Sequence, residues 1–246
     1  MKGFHTMPAE QDTELNANRT RSQSITRGMV MALPVVLGYI TVGFAYGVLA
    51  RKAGLPLLHT ILMSLVVYAG SAQLISVGLF AAGVQPLSII LTTFIVNIRH
   101  MLMSASLASY LEKWHNAEKV AFGLELTDET FALHSSNFSS SLPEKATIFS
   151  ANVTAQLAWV VGSALGALLG GQVNDIYALG LDFALPAMFI ALLVIQIKDR
   201  SHILVALAAG LFSLLLYLSG IDQWHVLIAA CLAAGIGVWL RSCNQK

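Results

Sequence analysis

A long apolar stretch of the chain contains charged side chains that membrane helices seldom carry. Within Leu87–Tyr110, Arg99 and His100 lie about midway along an otherwise apolar run. An arginine at mid-bilayer costs at least about 2.5–3.5 kcal/mol, so Arg99 must face protein or water and needs an acceptor. The natural acceptors are Asp128 and Glu129, which are adjacent acids in another largely apolar stretch. We therefore expect one of these two acids to pair with Arg99 inside the protein.

Two roles are open to these four charged or titratable side chains. Histidine titrates near neutral pH, and a carboxyl group inside a membrane can hold a proton there, so His100 and one acid could carry protons. The alternative is a purely structural ion pair. The candidates for a gate or for proton coupling are therefore Arg99, His100, Asp128 and Glu129. Under either role, the pair indicates a polar interior.

A second polar group follows the spacing of a helix. Ser64, Tyr68 and Ser71 are separated by four and three residues, which places them on one helical face, and Gln73 adjoins that face. Their hydroxyl and amide groups could line a path for a solute. The alternative is hydrogen bonding between helices, at about 0.6–2 kcal/mol for each bond. The candidate substrate-binding residues are Tyr68, Ser71, Gln73 and Asn97, the last of these on the helical face of His100.

The composition is that of an integral membrane protein. Of the 246 residues, 56% are hydrophobic and 11% are charged, whereas a typical soluble domain has about 25% charged residues. The net charge of +1 and the scattered basic residues argue against a nucleic-acid-binding face. The two cysteines form neither a disulfide framework nor a zinc cluster, and we expect no metal or cofactor.

Seven apolar runs are long enough to cross a bilayer, which takes about 20 helical residues. Because unpaired backbone groups in lipid are costly, such runs must be helices. The predicted fold is therefore all-α, a multi-pass membrane protein with seven or eight transmembrane helices. We expect a mobile polar tail over 1–26, a single membrane domain over 27–241 and a short tail over 242–246. The predicted runs are Gly28–Ala50, Thr60–Ala82, Leu87–Tyr110, Thr147–Gly170, Ile176–Ile197, His202–Ser219 and Gln223–Leu240.

The segment Val120–Phe138 mixes apolar residues with three acids and decides the number of spans. It could be an eighth span, a re-entrant helix or an amphipathic loop. Lysine and arginine favour cytoplasmic loops, but the seven-span and eight-span arrangements both place nine basic residues inside and four outside. Both arrangements place the carboxyl terminus in the cytoplasm. A cytoplasmic amino-terminal tail is favoured, because an uncleaved polar tail then need not cross the membrane.

Small residues at helical spacing predict close contacts between helices. Gly43 and Gly47 form one GxxxG unit, and Gly162, Gly166 and Gly170 form two overlapping units. A further stripe consists of Ala229, Ala233 and Gly237, and the polar pair Asn152 and Gln156 is expected to hydrogen-bond between helices. A faint echo of Leu33–Gly70 in Leu185–Gly220 raises the prospect of an internal repeat, as in many transporters.

Four ordered motifs resemble the AzlC-type large subunit of branched-chain amino acid exporters, the group that includes the YgaZ proteins. The motifs are PVVLGYITVGFAYG at Pro34–Gly47, YAGSAQ at Tyr68–Gln73, NIRH at Asn97–His100 followed by Ser106-Leu107, and LTDETF at Leu126–Phe131. The resemblance implies ion-driven export of leucine, isoleucine and valine, with methionine as a further candidate, across the cytoplasmic membrane. It also implies a small AzlD-type membrane subunit as partner. Many relatives have a tyrosine where this chain has Met103, which leaves substrate preference open.

Other classes of function have less support in the sequence. The chain has no HExxH zinc motif and no GxxxxGKS/T phosphate loop, so we do not expect an enzyme. A passive channel commonly uses rings of identical groups from symmetric subunits, whereas this polar set is asymmetric. An assembly subunit without a pathway of its own is a further alternative.

Overall fold

In the computed structural model, all regular secondary structure of the described residues is helical. Contacts between residues divide the chain into two compact units, Met1–Met188 and Phe189–Lys246. Residues 9–26, which the sequence assigns to a polar tail, are helical and continuous with the first long helix. The structure describes residues 9–138, 142–173, 199–220 and 225–244, together with 175, 178, 180–183, 186–187, 190–191, 193–194 and 197.

The helices vary widely in length. A π-helical turn, Met63–Val67, extends the short second helix, and a 3-10 turn, Ala108–Leu111, extends the fourth. Another 3-10 turn covers Leu181–Phe183. The described α-helices are α1 (Ala9–Lys52), α2 (Leu57–Leu62), α3 (Gly70–Ala81), α4 (Pro86–Leu107), α5 (Asn116–Leu124), α6 (Asp128–Phe138), α7 (Lys145–Leu169), α8 (Arg200–Leu218) and α9 (His225–Asn244).

Four helices are long and apolar enough to cross a membrane, and they coincide with four of the predicted runs. The described residues therefore contain fewer crossing helices than the seven or eight predicted. Most of the predicted run Ile176–Ile197 lies outside the described residues. The helices of crossing length are Arg21–Lys52, Pro86–Leu111, Lys145–Leu169 and Arg200–Leu218.

Helices α1 and α7 run side by side in the same direction. A Cβ atom built on Gly28 would lie 2.2 Å from the carbonyl oxygen of Thr147, and one built on Gly47 would lie 2.1 Å from that of Ser163. Contacts thus advance along both helices together, and glycine lets the two backbones touch, as the GxxxG spacing predicts. We call the end of the first unit where the contact between α1 and α7 begins, near Gly28 and Thr147, the N face. The end near Lys52 is the C face.

The segment Leu57–Ala81 enters from the C face and stops halfway. The hydroxyl group of Tyr46, near the end of α1, lies 3.5 Å from the carbonyl oxygen of Thr60 in α2. The π turn then ends at Tyr68, whose backbone is left-handed with φ +43°. The ring of Tyr68 meets that of Tyr39, with centroids 6.2 Å apart, near the middle of α1.

The direction of α4 shows that α3 turns back to the C face. Arg99, in the middle of α4, donates to the hydroxyl of Ser71 at the start of α3. Beyond the end of α4, Trp114 packs on Phe149 near the start of α7, with ring centroids 5.6 Å apart. Helix α4 therefore runs towards the N face, and its first residue, Pro86, lies about 20 Å from Arg99 in the opposite direction. Because a short turn joins α3 to α4, α2 and α3 form a re-entrant hairpin.

Helices α5 and α6 form a second hairpin, which enters from the N face. Near the start of α5, Glu118 pairs with Lys145 at the start of α7, at 2.6 Å. At the tip, Asp128 pairs with Arg99 at 2.7 Å. Helix α6 then returns to Phe138, in the core cluster that surrounds the first turns of α7. Of the three alternatives for this segment, the arrangement of α5 and α6, which enter and leave on the same face, matches the re-entrant helix.

The prediction that Thr60–Ala82 forms one crossing helix is wrong. Hydropathy detects apolar length but not a reversal of direction, and the chain reverses at Tyr68 and Ala69. Broken backbone is tolerated at membrane depth only where protein or water satisfies its polar groups. Here the carbonyl oxygen of Leu65 accepts a hydrogen bond from Gln156 of α7 at 3.1 Å. The interhelical hydrogen bond expected of Gln156 is therefore confirmed.

In the second unit, α8 and α9 pack through the predicted stripe of small residues. Ala229 and Ala233 are buried, and a Cβ atom on Gly237 would lie 3.2 Å from the side chain of Val205. Asp199 caps the start of α8, since its carboxylate accepts a hydrogen bond of 3.0 Å from the backbone N–H of His202. The suggested internal repeat stays a prediction, because part of its second copy lies outside the described residues.

Candidate functional site

A cleft lies where the tips of the two hairpins meet. Its enclosed volume is about 10 Å³, about the room that one water molecule needs, compared with about 300–1,000 Å³ for typical small-molecule sites. The described structure is thus a narrow state of the cleft, and a solute larger than this requires the helices to move apart. The residues that line it are Tyr39, Tyr68, Gly70, Ser71, Thr127, Asp128, Glu129 and Trp159.

Arg99 connects the two hairpin tips. Its Nη2 atom lies 2.7 Å from the Oδ2 atom of Asp128 in the second hairpin and also donates to the hydroxyl of Ser71 in the first. The side chains of Arg99 and Asp128 are 26% and 14% exposed. The predicted pairing of Arg99 with one of two acids is confirmed, and the acid is Asp128. One guanidinium group therefore holds together elements that enter from opposite faces.

Glu129 faces the same cleft but has a different partner. Its Oε2 atom accepts a hydrogen bond of 2.8 Å from the hydroxyl of Tyr39, which also contacts the hydroxyl of Thr127. Among the described residues, Glu129 forms no salt bridge. When ionised, its carboxylate therefore adds a negative charge to the cleft that the pair of Arg99 and Asp128 does not neutralise.

The two helices that begin at the hairpin tips have different N-termini. At α6, the side chains of Thr127 and Thr130 each accept a hydrogen bond from the other residue's backbone N–H, at 3.3 and 2.8 Å. At α3, the residue before the helix is Ala69, which has no side chain that could cap it. The first N–H groups of α3, at Gly70 and Ser71, thus begin a helix with an open, electropositive end beside the cleft.

Tyr68 places a buried side chain beside Tyr39 in the cleft. The residue is 3% exposed, and its hydroxyl group is close enough to Tyr39 for a weak hydrogen bond. The Tyr68 hydroxyl therefore belongs with Tyr39 and Glu129, whose carboxylate accepts from the Tyr39 hydroxyl.

Gln73, a predicted substrate-binding residue, is buried in a network next to the cleft. The indole N–H of Trp159 donates to its Oε1 atom at 3.0 Å, and its Nε2 atom donates to Ser64 at 3.2 Å. Ser64 in turn donates to Ser163 of α7 at 2.8 Å. The amide of Gln73 thus bonds to protein groups on both sides, and the residue is not among those that line the cleft.

Asn97 and His100 lie on α4 but do not line the cleft. Both are half-buried, and the Oδ1 atom of Asn97 and the Nε2 atom of His100 have no hydrogen-bond partner among the described residues. The structure therefore brings together Tyr68, Ser71, Asp128 and Glu129 at the cleft, with Arg99 beside them. The proposed roles of all eight predicted residues stay predictions.

Besides Gly70, three lining residues were not among the predicted site residues. Tyr39 and Thr127 lie within the motifs Pro34–Gly47 and Leu126–Phe131, and motif membership was their only signal. Trp159 is an aromatic residue in an apolar run, where aromatic residues usually serve packing. It lies against Gly70, since a Cβ atom there would be 2.8 Å from the indole ring.

A second buried polar contact fastens α6 to α7. The Nε2 atom of His134 lies 2.7 Å from the Oδ1 atom of Asn152, and both residues are fully buried. The helix-to-helix hydrogen bonding expected of Asn152 is therefore confirmed. The ring of His134 also packs against Phe122 and Phe138, with centroids 5.3 and 5.2 Å away.

Comparison with known proteins places these features in a family context. Residues 34–173 match the family model described as AzlC protein, a region that covers both hairpins and the cleft. An uncharacterized membrane protein of Archaeoglobus fulgidus is 31% identical over 223 residues, which cover 89% of this chain and 97% of that protein. No solved structure matches the chain.

Two further relatives have informative names. The branched-chain amino acid transport protein AzlC of Bacillus subtilis is 26% identical over 252 residues, which cover 100% of this chain and 96% of the relative. The inner membrane protein YgaZ of Escherichia coli is 28% identical over 225 residues, which cover 87% and 90% of the two chains.

Proposed function

Because the chain belongs to the AzlC family, we propose that it transports branched-chain amino acids across the cytoplasmic membrane and does not catalyse a chemical reaction. The name of the Bacillus subtilis relative supports this substrate class. Leucine, isoleucine and valine are the proposed substrates, with methionine as a further candidate. The cleft at the hairpin tips is the proposed binding site.

The observation that carries the proposal is the depth of the cleft. Tyr39 is 15 residues from Ser24 and 12 from Arg51, or about 22 and 18 Å along α1. A site of interrupted helices near the bilayer midplane is the arrangement that secondary transporters use for polar solutes. The two hairpins enter from opposite faces, so movement of either tip opens the cleft to one side only. This supports alternating access over a continuous pore.

The orientation of the first unit follows from its basic residues. The N face carries Arg21, Arg27, Lys113, Lys119 and Lys145, whereas the C face carries Arg51 and Lys52. Since lysine and arginine favour the cytoplasmic side, we assign the N face to the cytoplasm. The hairpin α5–α6 then controls access from the cytoplasm, and α2–α3 controls access from outside.

Export driven by a proton gradient is the proposed direction and coupling. The Glu129 carboxylate lacks a salt-bridge partner among the described residues, so a proton and the ammonium group of a substrate amino acid can compete for it. Such competition couples outward movement of substrate to inward movement of protons. A small AzlD-type membrane subunit is the proposed partner, and the apolar surfaces outside the cleft face lipid or that subunit.

Transport by purified protein in liposomes tests the proposal. Protein reconstituted alone and with a co-expressed small subunit should accumulate labelled valine against its gradient when a proton gradient is imposed, and an ionophore should abolish the accumulation. A passive channel equilibrates valine but cannot concentrate it. Absence of valine movement under every gradient, with and without the partner, would contradict the proposal.

A further inference from the structure

We propose that Glu125 is a second proton-carrying carboxylate of the transport cycle, and that Asn152 and His134 position it between the cleft and the N face. This role rests on the proposed proton-driven transport and adds the group that takes the coupling proton from the cleft. Three features of the molecule support it: the contacts of Glu125, the depth of those contacts in the first unit, and the balance of charges between the two hairpins.

Glu125 lies at the tip of the hairpin α5–α6 and belongs to a buried polar group. Its Oε2 atom is buried, and its carboxylate is close enough to the amide of Asn152 in α7 for a weak hydrogen bond. The Oδ1 atom of Asn152 lies 2.7 Å from the Nε2 atom of His134 in α6. An amide oxygen accepts, so the hydrogen of this contact lies on His134, and the amide nitrogen of Asn152 is left to donate to Glu125. His134 thus orients Asn152 towards the ionised carboxylate.

This polar group lies between the cleft and the N face. Asn152 is seven residues from Lys145, at the start of α7, and seven from Trp159, which lines the cleft. Each separation is about 10 Å along the helix. A proton held at Glu125 is therefore part of the way from the cleft to the side that we assign to the cytoplasm.

Aromatic side chains cover the polar group on its N-face side. Lys145 lies over the ring of Trp114, 5.3 Å from its centroid, and that ring meets Phe122 with centroids 6.0 Å apart. Phe122 and Phe138 in turn pack against the fully buried His134. Both phenylalanines belong to the hairpin α5–α6, so movement of this hairpin would open the polar group to the N face.

The space between the hairpins holds more carboxylates than permanent cations. Arg99 pairs with Asp128, and among the described residues neither Glu125 nor Glu129 forms a salt bridge. The Tyr68 hydroxyl interacts electrostatically with both glutamates, which places them near the same side chain. Two carboxylates without cations are costly in a protein interior when both are ionised, so one proton shared between them relieves the repulsion. The other titratable side chains near the hairpin tips are Tyr39 in α1, His100 in α4 and His134 in α6.

The transfer moves one proton within this pair of acids. Protonated Glu129 gives its proton to ionised Glu125, so an O–H bond breaks at Glu129 and one forms at Glu125. The Tyr68 hydroxyl, which interacts with both acids, can accept one proton while it donates another. Glu129 is then ionised and able to bind the substrate ammonium. The proton on Glu125 leaves to the cytoplasm when the hairpin α5–α6 moves.

Proton-driven accumulation and valine exchange separate a proton carrier from a structural residue. The purified full chain, with its small subunit if transport requires it, would be reconstituted in liposomes. Accumulation of labelled valine under an imposed proton gradient needs net proton movement, whereas exchange of labelled for unlabelled valine at equal pH needs none. The variants are Glu125→Gln and Asn152→Leu, and the matched control is Glu112→Gln, at an exposed position.

Each variant has a distinct expected result. Glu125→Gln should lower the ratio of accumulation to exchange about tenfold or more, because its amide cannot take up the proton. Asn152→Leu should move the pH of half-maximal accumulation upward by about one unit, because ionised Glu125 loses a donor. A merely structural Asn152 would lower both activities without moving the pH profile. The control should match the original protein in both assays.

The role of Glu125 can fail while the proposed function stands. Accumulation by Glu125→Gln equal to that of the original protein would overturn it, and so would loss of exchange together with accumulation, which assigns Glu125 to substrate binding or to structure. An unmoved pH profile in Asn152→Leu would overturn the positioning. Should Glu125→Gln not give monodisperse protein, Glu125→Asp serves in its place, with accumulation retained and its pH profile moved; an unmoved profile contradicts the role. If the original protein does not accumulate valine under a proton gradient, with or without the small subunit, the proposed proton-driven transport itself fails.

Discussion

Breaking the contact between Arg99 and Asp128 should destabilise the junction of the hairpins. Asp128→Asn removes the carboxylate of this ion pair and leaves the contact of Arg99 with Ser71. Removing one partner of a fully buried pair costs about 3–5 kcal/mol. Because the two side chains are 26% and 14% exposed, we expect the low end, about 3 kcal/mol. For a chain of this size that corresponds to a melting temperature about 6–12 °C lower.

A double-mutant cycle measures whether the loss belongs to the pair. Melting temperatures of Asp128→Asn, Arg99→Gln and the double variant would be measured in one detergent, with Glu112→Gln as a matched control at an exposed acid. The double variant should lose less than the sum of the two single losses, because each single change removes the same contact. Additive losses, or single variants as stable as the original protein, would refute the reasoning.

Three further predictions concern packing, a buried network and a helix cap. Gly166→Val should prevent accumulation of folded protein, measured by size-exclusion chromatography, because a Cβ atom there would lie 2.0 Å from a backbone carbonyl oxygen of α1. The control Gly78→Ala, which has open space around it, should leave the yield of folded protein unchanged. Gln73→Leu should lower the free energy of unfolding by about 1–3 kcal/mol, measured by chemical denaturation, because it leaves the buried indole N–H without its acceptor. Hydrogen bonds from His202 lower the pKa of Asp199, so this cap stabilises α8 at neutral pH and is lost as the pH falls through that lowered pKa. Amide exchange in the first turn of α8, corrected for intrinsic rates, should rise over that acid range in the original protein but not in Asp199→Asn.

The sequence was sufficient to predict the charged centre because of a strong energetic constraint. An arginine in an apolar run requires an acceptor, and adjacent acids elsewhere in the chain were the natural candidates. Sequence could not select Asp128 over Glu129, because the choice depends on how α6 is rotated at the hairpin tip. The GxxxG spacing likewise predicted that α1 and α7 each pack closely against another helix. It did not predict that they pack against each other.

The reversal at Tyr68 was not foreseeable from hydropathy or helical spacing. Regular spacing placed Ser64, Tyr68 and Ser71 on one face of a continuous helix, but the left-handed backbone at Tyr68 separates Ser64 from the other two. Ser64 and Gln73 then join a buried network with α7, while Ser71 faces Arg99. The count of basic residues did not separate the seven-span from the eight-span arrangement for the same reason, because the count assumed that every apolar run crosses the membrane.

The most direct test of the account is the side of the membrane on which the turns of the first unit lie. Single cysteines would replace Lys52, Gln85 and Glu112, all exposed, in a chain whose two native cysteines are changed to serine. A membrane-impermeant maleimide would be applied to intact cells and to inverted vesicles. The account predicts that positions 52 and 85 react from one side and position 112 from the other. Reaction of positions 52 and 85 from opposite sides would mean that α2 and α3 cross the bilayer, and would contradict the re-entrant hairpin on which the proposed site depends.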